Sequence, residues 1–153
     1  MKKEKEFLKE KFIEFQLKIA ELTHALSEQE KRSKDRENDL YINLFDVLDA
    51  FENLNENNRA KEDGLDKTAR MLSKSIQSIH RKLIRLFKAR NIIQIEFPDK
   101  KAKMENCKIV DTKEAGSMEN ETILSVVKNG YVDRKQGIVL RKAEVITVLN
   151  NEE

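Results

Sequence analysis

Cysteine occurs once in these 153 residues, at Cys107, so an intrachain disulfide is impossible and a reducing compartment is expected. Proline also occurs once and glycine four times, each glycine isolated, which rules out a glycine-rich phosphate loop. No apolar run approaches the roughly 20 residues that a membrane-spanning helix needs. The opening MKKEKEFLKEKF is charged where a signal peptide would turn apolar, so none is expected there. Together these absences predict a soluble cytoplasmic protein. The only two histidines, His24 and His80, sit on different predicted helices, and neither suggests a metal site. Cys107 has no histidine near it in sequence and reads as a small buried residue rather than a nucleophile. Neither catalysis nor a cofactor is expected.

What the chain has in excess is charge. Asp, Glu, Lys and Arg make up 38% of it, against roughly 25% in an average globular chain, while apolar residues are 39% rather than roughly 45–50%. Few apolar residues and much charge suggest a large surface for the mass, as associating helices would give. The net charge of +2 is too small to imply an anionic partner. It is unevenly spread, however: residues 62–90 hold 8 basic against 3 acidic side chains, a local charge of +5.

Leu8, Phe12, Phe15, Ile19, Leu22 and Leu26 are spaced four and three residues apart in alternation, an a/d heptad seam along one side of a helix. Phe7, Ile13 and Leu17 widen the stripe. Burying one large apolar side chain is worth roughly 1.5–3 kcal/mol, so the seam should seek a partner. Residues 27–39 (SEQEKRSKDREND) contain no apolar side chain, and either a solvated helix or a poorly held connector is expected there. The stripe resumes at Leu40, Leu44, Val47, Leu48, Phe51 and Leu54, and residues 55–64 (NENNRAKEDG) end it in a polar, turn-rich loop. Asp46, Asp49 and Glu52 recur every three residues and read as a solvated helix face. A second helix follows, on which Leu65, Ala69, Leu72, Ile76, Ile79, Leu83 and Leu86 repeat the heptad. The two helices are predicted over residues 2–60 and 65–90. They can fold back as a hairpin, and two hairpins would form a four-helix bundle in a homodimer. Its interface would use Leu40, Leu44, Val47, Phe51, Leu65, Leu72, Ile76, Ile79, Leu83 and Leu86.

From Asn91 the pattern changes. Short β-rich segments are predicted at 92–97, 107–110, 122–127, 138–140 and 145–149, broken by turns at Asn129-Gly130-Tyr131 and at residues 134–137. Such a lobe is too small to bury much core alone and should lean on the helices. The fold class is therefore α+β: a helical segment over 1–39, a hairpin over 40–91 and a small all-β lobe over 92–153.

Three stretches carry a family resemblance. Residues 44–54 (LFDVLDAFENL), residues 87–95 (FKARNIIQI), and Gly130-Tyr131 followed by Leu140-Arg141-Lys142-Ala143-Glu144-Val145 resemble, in that order, the late first helix, the helix-to-lobe passage and the closing signature of the GrpE family. The resemblance covers roughly residues 40–148. It implies a homodimeric co-chaperone of protein folding and the stress response, whose β-lobe binds the ATPase domain of a DnaK-type chaperone and promotes ADP release. It points to Val127, Lys128, Tyr131, Ile138, Arg141 and Thr147 as chaperone-binding residues. Several positions depart from the family pattern. Asp46 stands where the family has proline, so a kink there is not expected, because Asp keeps its backbone donor. Asn106-Cys107-Lys108-Ile109 is the nearest equivalent of an H-E-A-V element. A family arginine falls on Ile138 or Val139, the family proline after the L-R pair is Lys142, and Lys31-Arg32-x-Lys34 is the nearest basic cluster on the long helix.

Two other readings stay open on the sequence. Residues 80–90 (HRKLIRLFKAR) hold five cations and no acid, with Arg81, Arg85 and Lys88 along one face, and Lys100, Lys101 and Lys103 follow. Such a stripe could track phosphates of a nucleic acid, although a solvated helix end serving the dipole is the simpler reading. The chain could also be a coiled-coil adaptor without exchange activity.

Overall fold

A computed structural model describes residues 1–61, 64 and 66–150. Two helices, α1 (Lys2–Ala60) and α2 (Lys67–Ala89), are followed by six strands: β1 (Ile92–Gln94), β2 (Cys107–Lys113), β3 (Ile123–Lys128), β4 (Tyr131–Asp133), β5 (Ile138–Arg141) and β6 (Ala143–Val148). The chain divides into two compact units, Met1–Leu40 and Tyr41–Glu153. Among the described residues no helix is long and apolar enough to cross a membrane.

The first unit is helical throughout, including residues 27–39, and its seam from Leu8 to Leu26 is exposed. Lys11 with Glu14 and Lys18 with Glu21 pair at 2.6 and 2.9 Å across one turn, the exposed contacts that support a solvated helix. The mixed charges of 27–39 are thus compatible with helix, and the segment is helical from end to end.

In the second unit α1 runs to Ala60, the predicted end of the helix, so the polar, turn-rich stretch expected over 55–64 begins inside it. A contact with α2 supports these last turns: Asn55 and Asn58 are half-buried, and Asn58 Nδ2 donates to Ser73 Oγ at 3.5 Å. The helices are antiparallel, since Tyr41 and Phe45 meet Phe87 whereas Phe51 meets His80 and Asn58 meets Ser73. Asp66 caps α2, its Oδ1 accepting from Ala69 N–H at 2.7 Å. The helix ends with Arg90 as its C-cap, and the next residue, Asn91, takes a left-handed φ of 62°, a conformation that asparagine tolerates better than most residues.

The lobe holds two three-stranded sheets, ordered β1-β4-β5 and β2-β6-β3. All pairs are antiparallel except β2 with β6. The strand β4 was not expected; its three residues Tyr131–Asp133 follow directly on the Asn129-Gly130 turn and are too few to show an alternation. The expected segment over 92–97 shortens to β1, whose partner β4 offers only three residues, with Gln94 paired to Tyr131 and Ile95 N–H closing on the Gly130 carbonyl at 2.9 Å. The turn after β4 is built by Asp133, whose Oδ1 accepts from Lys135 and Gln136 N–H, and by Gly137 at φ 68°.

Two cores result. Phe45 and Leu48 of α1, Phe87 of α2, Ile92 and Tyr131 form one, so the first sheet is sealed by both helices. Cys107, Ile123, Ala143 and Val145 form the other inside the second sheet. The lobe does lean on the hairpin, through Tyr131 stacked flat on Phe45 at 4.1 Å.

Candidate functional site

The junction of α1 with the lobe gathers the densest set of charged groups. Spacing of three along α1 puts Asp46, Asp49 and Glu52 on one side of the helix, and that side faces the lobe. This corrects the reading of a solvated face: Asp49 and Glu52 are half-buried, and only Asp46 is mostly exposed. Their partners in the lobe lie 77 to 95 residues on, where periodicity along one helix carries no signal.

Arg141, the last residue of β5, makes the central contacts. Its Nη2 and Nη1 donate to Asp49 Oδ1 and Oδ2 at 2.7 and 2.8 Å, a two-pronged pair, and Nη1 reaches Asp46 Oδ1 at 3.3 Å. Nε and Nη2 also donate to the Asn129 carbonyl at 3.0 and 2.8 Å. The guanidinium carbon lies 5.4 Å from the ring centres of both Phe45 and Tyr131. Lys128 Nζ adds contacts to Asp46 at 3.1 Å and Asp49 at 3.6 Å. Below this cluster, Asn129 Nδ2 donates to Glu52 Oε2 at 2.7 Å, and Gln94 Nε2 donates to Asn129 Oδ1 at 3.0 Å.

Burial perturbs two groups here. It raises the Glu52 carboxyl above 4.5, opposed by His80, whose Nε2 lies 3.7 Å from Glu52 Oε1, and by the Asn129 hydrogen bond. Burial, and secondarily the negative Glu52, pushes the Tyr131 phenol far above its ordinary 10, so it stays neutral. Among the described residues its hydroxyl has no hydrogen-bond partner.

The six expected chaperone-binding residues therefore divide three ways. Val127 and Ile138 are exposed, 58% and 42%. Lys128 and Arg141 are engaged with the carboxylates of α1. Tyr131 and Thr147 are each 1% exposed, so their side chains support the lobe from within and present no surface. Leu124 and Val126, to which the sequence draws no attention, are also exposed on β3 beside Val127. Leu124 and Val126 line a cleft of about 350 Å³ with Ile95, Phe97 and Asn129. Irregularities in the β3–β6 register between Ile123 and Ser125, and between Val126 and Lys128, leave Leu124 and Val127 without paired partners. Such bulges break the alternation by which exposure is read from a strand.

The expected dimer-interface residues divide as well. Leu40, Val47, Leu72, Ile79 and Leu86 are exposed, whereas Leu44, Phe51, Ile76 and Leu83 are half-buried. Leu44 and Leu83 pack on the core around Phe45, and Leu65 lies outside the described residues. Cys107 is buried; its Sγ donates to the Lys103 carbonyl at 3.2 Å, and burial pushes the thiol up.

Compared with known protein families, residues 1–148 match the GrpE family model. No curated protein matches the chain.

Proposed function

The chain belongs to the GrpE family, and on that premise we propose that it acts as a homodimeric adenine-nucleotide exchange factor for a DnaK-type chaperone. Membership makes it a GrpE-like co-chaperone; release of ADP is the finer step argued here. No bond is made or broken in that step. The β-lobe binds the chaperone's ATPase domain more tightly when the nucleotide cleft is open, and ADP leaves because its site is then less often closed. A binding protein shifts such an equilibrium only by its differential affinity for the two states, about 1.4 kcal/mol for each tenfold change.

The observation that carries this reading is the family match running through both helices and the whole lobe, residues 1–148. The lobe's construction supports it. An apolar strand surface at Leu124, Val126 and Val127, with Ile138 on the other sheet, is exposed on a lobe fastened to α1 by Asp49 and Arg141. Val127 and Ile138 are the proposed contacts; Lys128 and Arg141 act beside them through a clasp on Asp46 and Asp49 of α1, and Tyr131 and Thr147 beneath them.

Stopped-flow release of a fluorescent ADP from the host's DnaK-type chaperones tests the proposal. Acceleration of tenfold or more is expected, together with its loss in the double variant Val127→Asp, Ile138→Asp, whose changes lie on exposed positions and should leave the circular dichroism spectrum intact. A wild-type protein that is folded and dimeric yet accelerates release from none of those chaperones would overturn it and favour the adaptor.

A further inference from the structure

Asp49 sits on α1, yet its carboxylate is turned to the lobe. Both oxygens accept from Arg141, at 2.7 and 2.8 Å. Arg141 stands where the chain leaves the first sheet at β5 to enter the second at β6, with only Lys142 between them. The carbonyl it grips, that of Asn129, stands where the chain passes the other way, from β3 of the second sheet to β4 of the first. One guanidinium thus ties two crossings between the sheets, and one carboxylate fastens that guanidinium to the helix.

The rest of the contact is of a different kind. Phe45, Leu48 and Tyr131 meet through apolar burial, which favours closeness without fixing an angle, and through one stacked ring pair, whose parallel planes still leave sliding and rotation about the ring normal. Two parallel N–H···O bonds to a planar guanidinium fix both distance and direction. Asp49 and Arg141 side chains are only 16% and 13% exposed, so water screens them little. Asp46 and Lys128, at 61% and 37%, form an outer and more easily screened rim.

We infer that Asp49 is a positioning residue: holding Arg141, and through it the Asn129 turn, it sets the angle of the β-lobe on α1 and with it the force that the lobe can exert on a bound partner. This rests on the exchange reading above for its consequence, while the angle itself is a property of the free protein. A lobe that rocks on its helix still presents Val127 and Ile138, so the partner binds; the binding is then accommodated by the lobe instead of opening the cleft. The loss falls on the maximal rate rather than on the half-saturating concentration.

Two measurements on the full chain test this with Asp49→Asn, and with Asp49→Glu as a variant that keeps the charge. The first is amide hydrogen exchange of the free protein. Asp49→Asn should speed exchange at β4 and β5 at least tenfold while the amides of residues 72–83 in α2 keep their rates, and Asp49→Glu should recover most of the protection. Unchanged β4 and β5 amides, or equal acceleration in lobe and α2 alike, would overturn the inference whatever the exchange activity. The second is ADP release: a maximal acceleration reduced at least tenfold, with a half-saturating concentration moved less than threefold, is the expected split. The reverse split would sink the inference and leave the exchange reading standing. If wild type itself fails to accelerate release, the exchange reading alone falls, and the amide rates decide the role of Asp49.

Discussion

Gly130 is the position where a single atom decides the lobe. A Cβ there would lie 2.5 Å from the Ala143 nitrogen and 2.9 Å from the Arg141 carbonyl oxygen, both main-chain atoms, and 2.9 Å from Ile95 Cδ1. A flexible side chain could swing aside, but two of these three obstacles are backbone. Overpacking generally costs about 1–3 kcal/mol, and an immovable neighbour puts the cost at the upper end. Gly130→Ala should therefore lower the urea midpoint of the lobe, followed by the near-ultraviolet signal of Tyr131, with the helical signal of residues 1–40 unaffected. Glu52 makes a second residue-scale prediction. Its carboxyl is raised in the folded protein, chiefly by burial, so the native state holds the proton more firmly than the unfolded chain does. Stability then falls as pH rises from about 4.5 through the raised value, because an ionised Glu52 must be kept out of water. Glu52→Gln keeps an acceptor for Asn129 and removes that charge. It should be as stable as wild type near pH 4 and more stable at pH 7, which parallel thermal melts at the two pH values will read.

At the scale of elements, stability should be distributed unevenly between the two helices. Residues 27–39 carry no apolar side chain and are exposed but for the half-buried Asn38, whereas α2 contributes Leu83, Ile84 and Phe87 to a core. Amide exchange across 27–39 is accordingly expected to be much faster than across residues 72–86, since local opening there uncovers no apolar surface; equal rates would contradict this. The same contrast explains what the sequence reveals of the fold. The heptads of both helices and most of the strands are legible because each is a local pattern with a period. The strand β4, with three residues, has no period to show, and the polar residues 55–60 read as loop although they are helical, supported by a contact with Ser73 in another element. The clasp was the least legible part. Asp46 and Asp49 look like any exposed acid pair until Lys128 and Arg141 are brought onto them from the far end of the chain. Tyr131 belongs to the family signature and Thr147 to the contacts that the resemblance implies, and a resemblance marks a position without saying whether it faces in or out.

For the whole molecule, the exposed apolar seam is the feature that a single chain leaves unanswered. Phe12, Phe15, Ile19 and Leu22 are 57–69% exposed, and each would gain roughly 1.5–3 kcal/mol on burial. On the hairpin, Leu72, Ile79 and Leu86 of α2 are exposed in the same heptad register. A helix of this composition has little reason to be stable by itself, because most helical stability comes from packing an apolar face. Self-association satisfies both surfaces, and a parallel pair of seams brings like side chains together at each a and d position. Sedimentation equilibrium should therefore find a dimer at micromolar concentration. Phe12→Glu with Ile19→Glu places charges inside the seam and should cost helicity in residues 1–40, read by circular dichroism, while the hairpin face keeps some dimer at higher concentration. Leu72→Glu with Ile79→Glu should weaken the dimer further when added to the first pair. A wild-type protein that sediments as a monomer at tens of micromolar, with full helicity, would defeat this argument, because the seam would then be stable in water without a second copy.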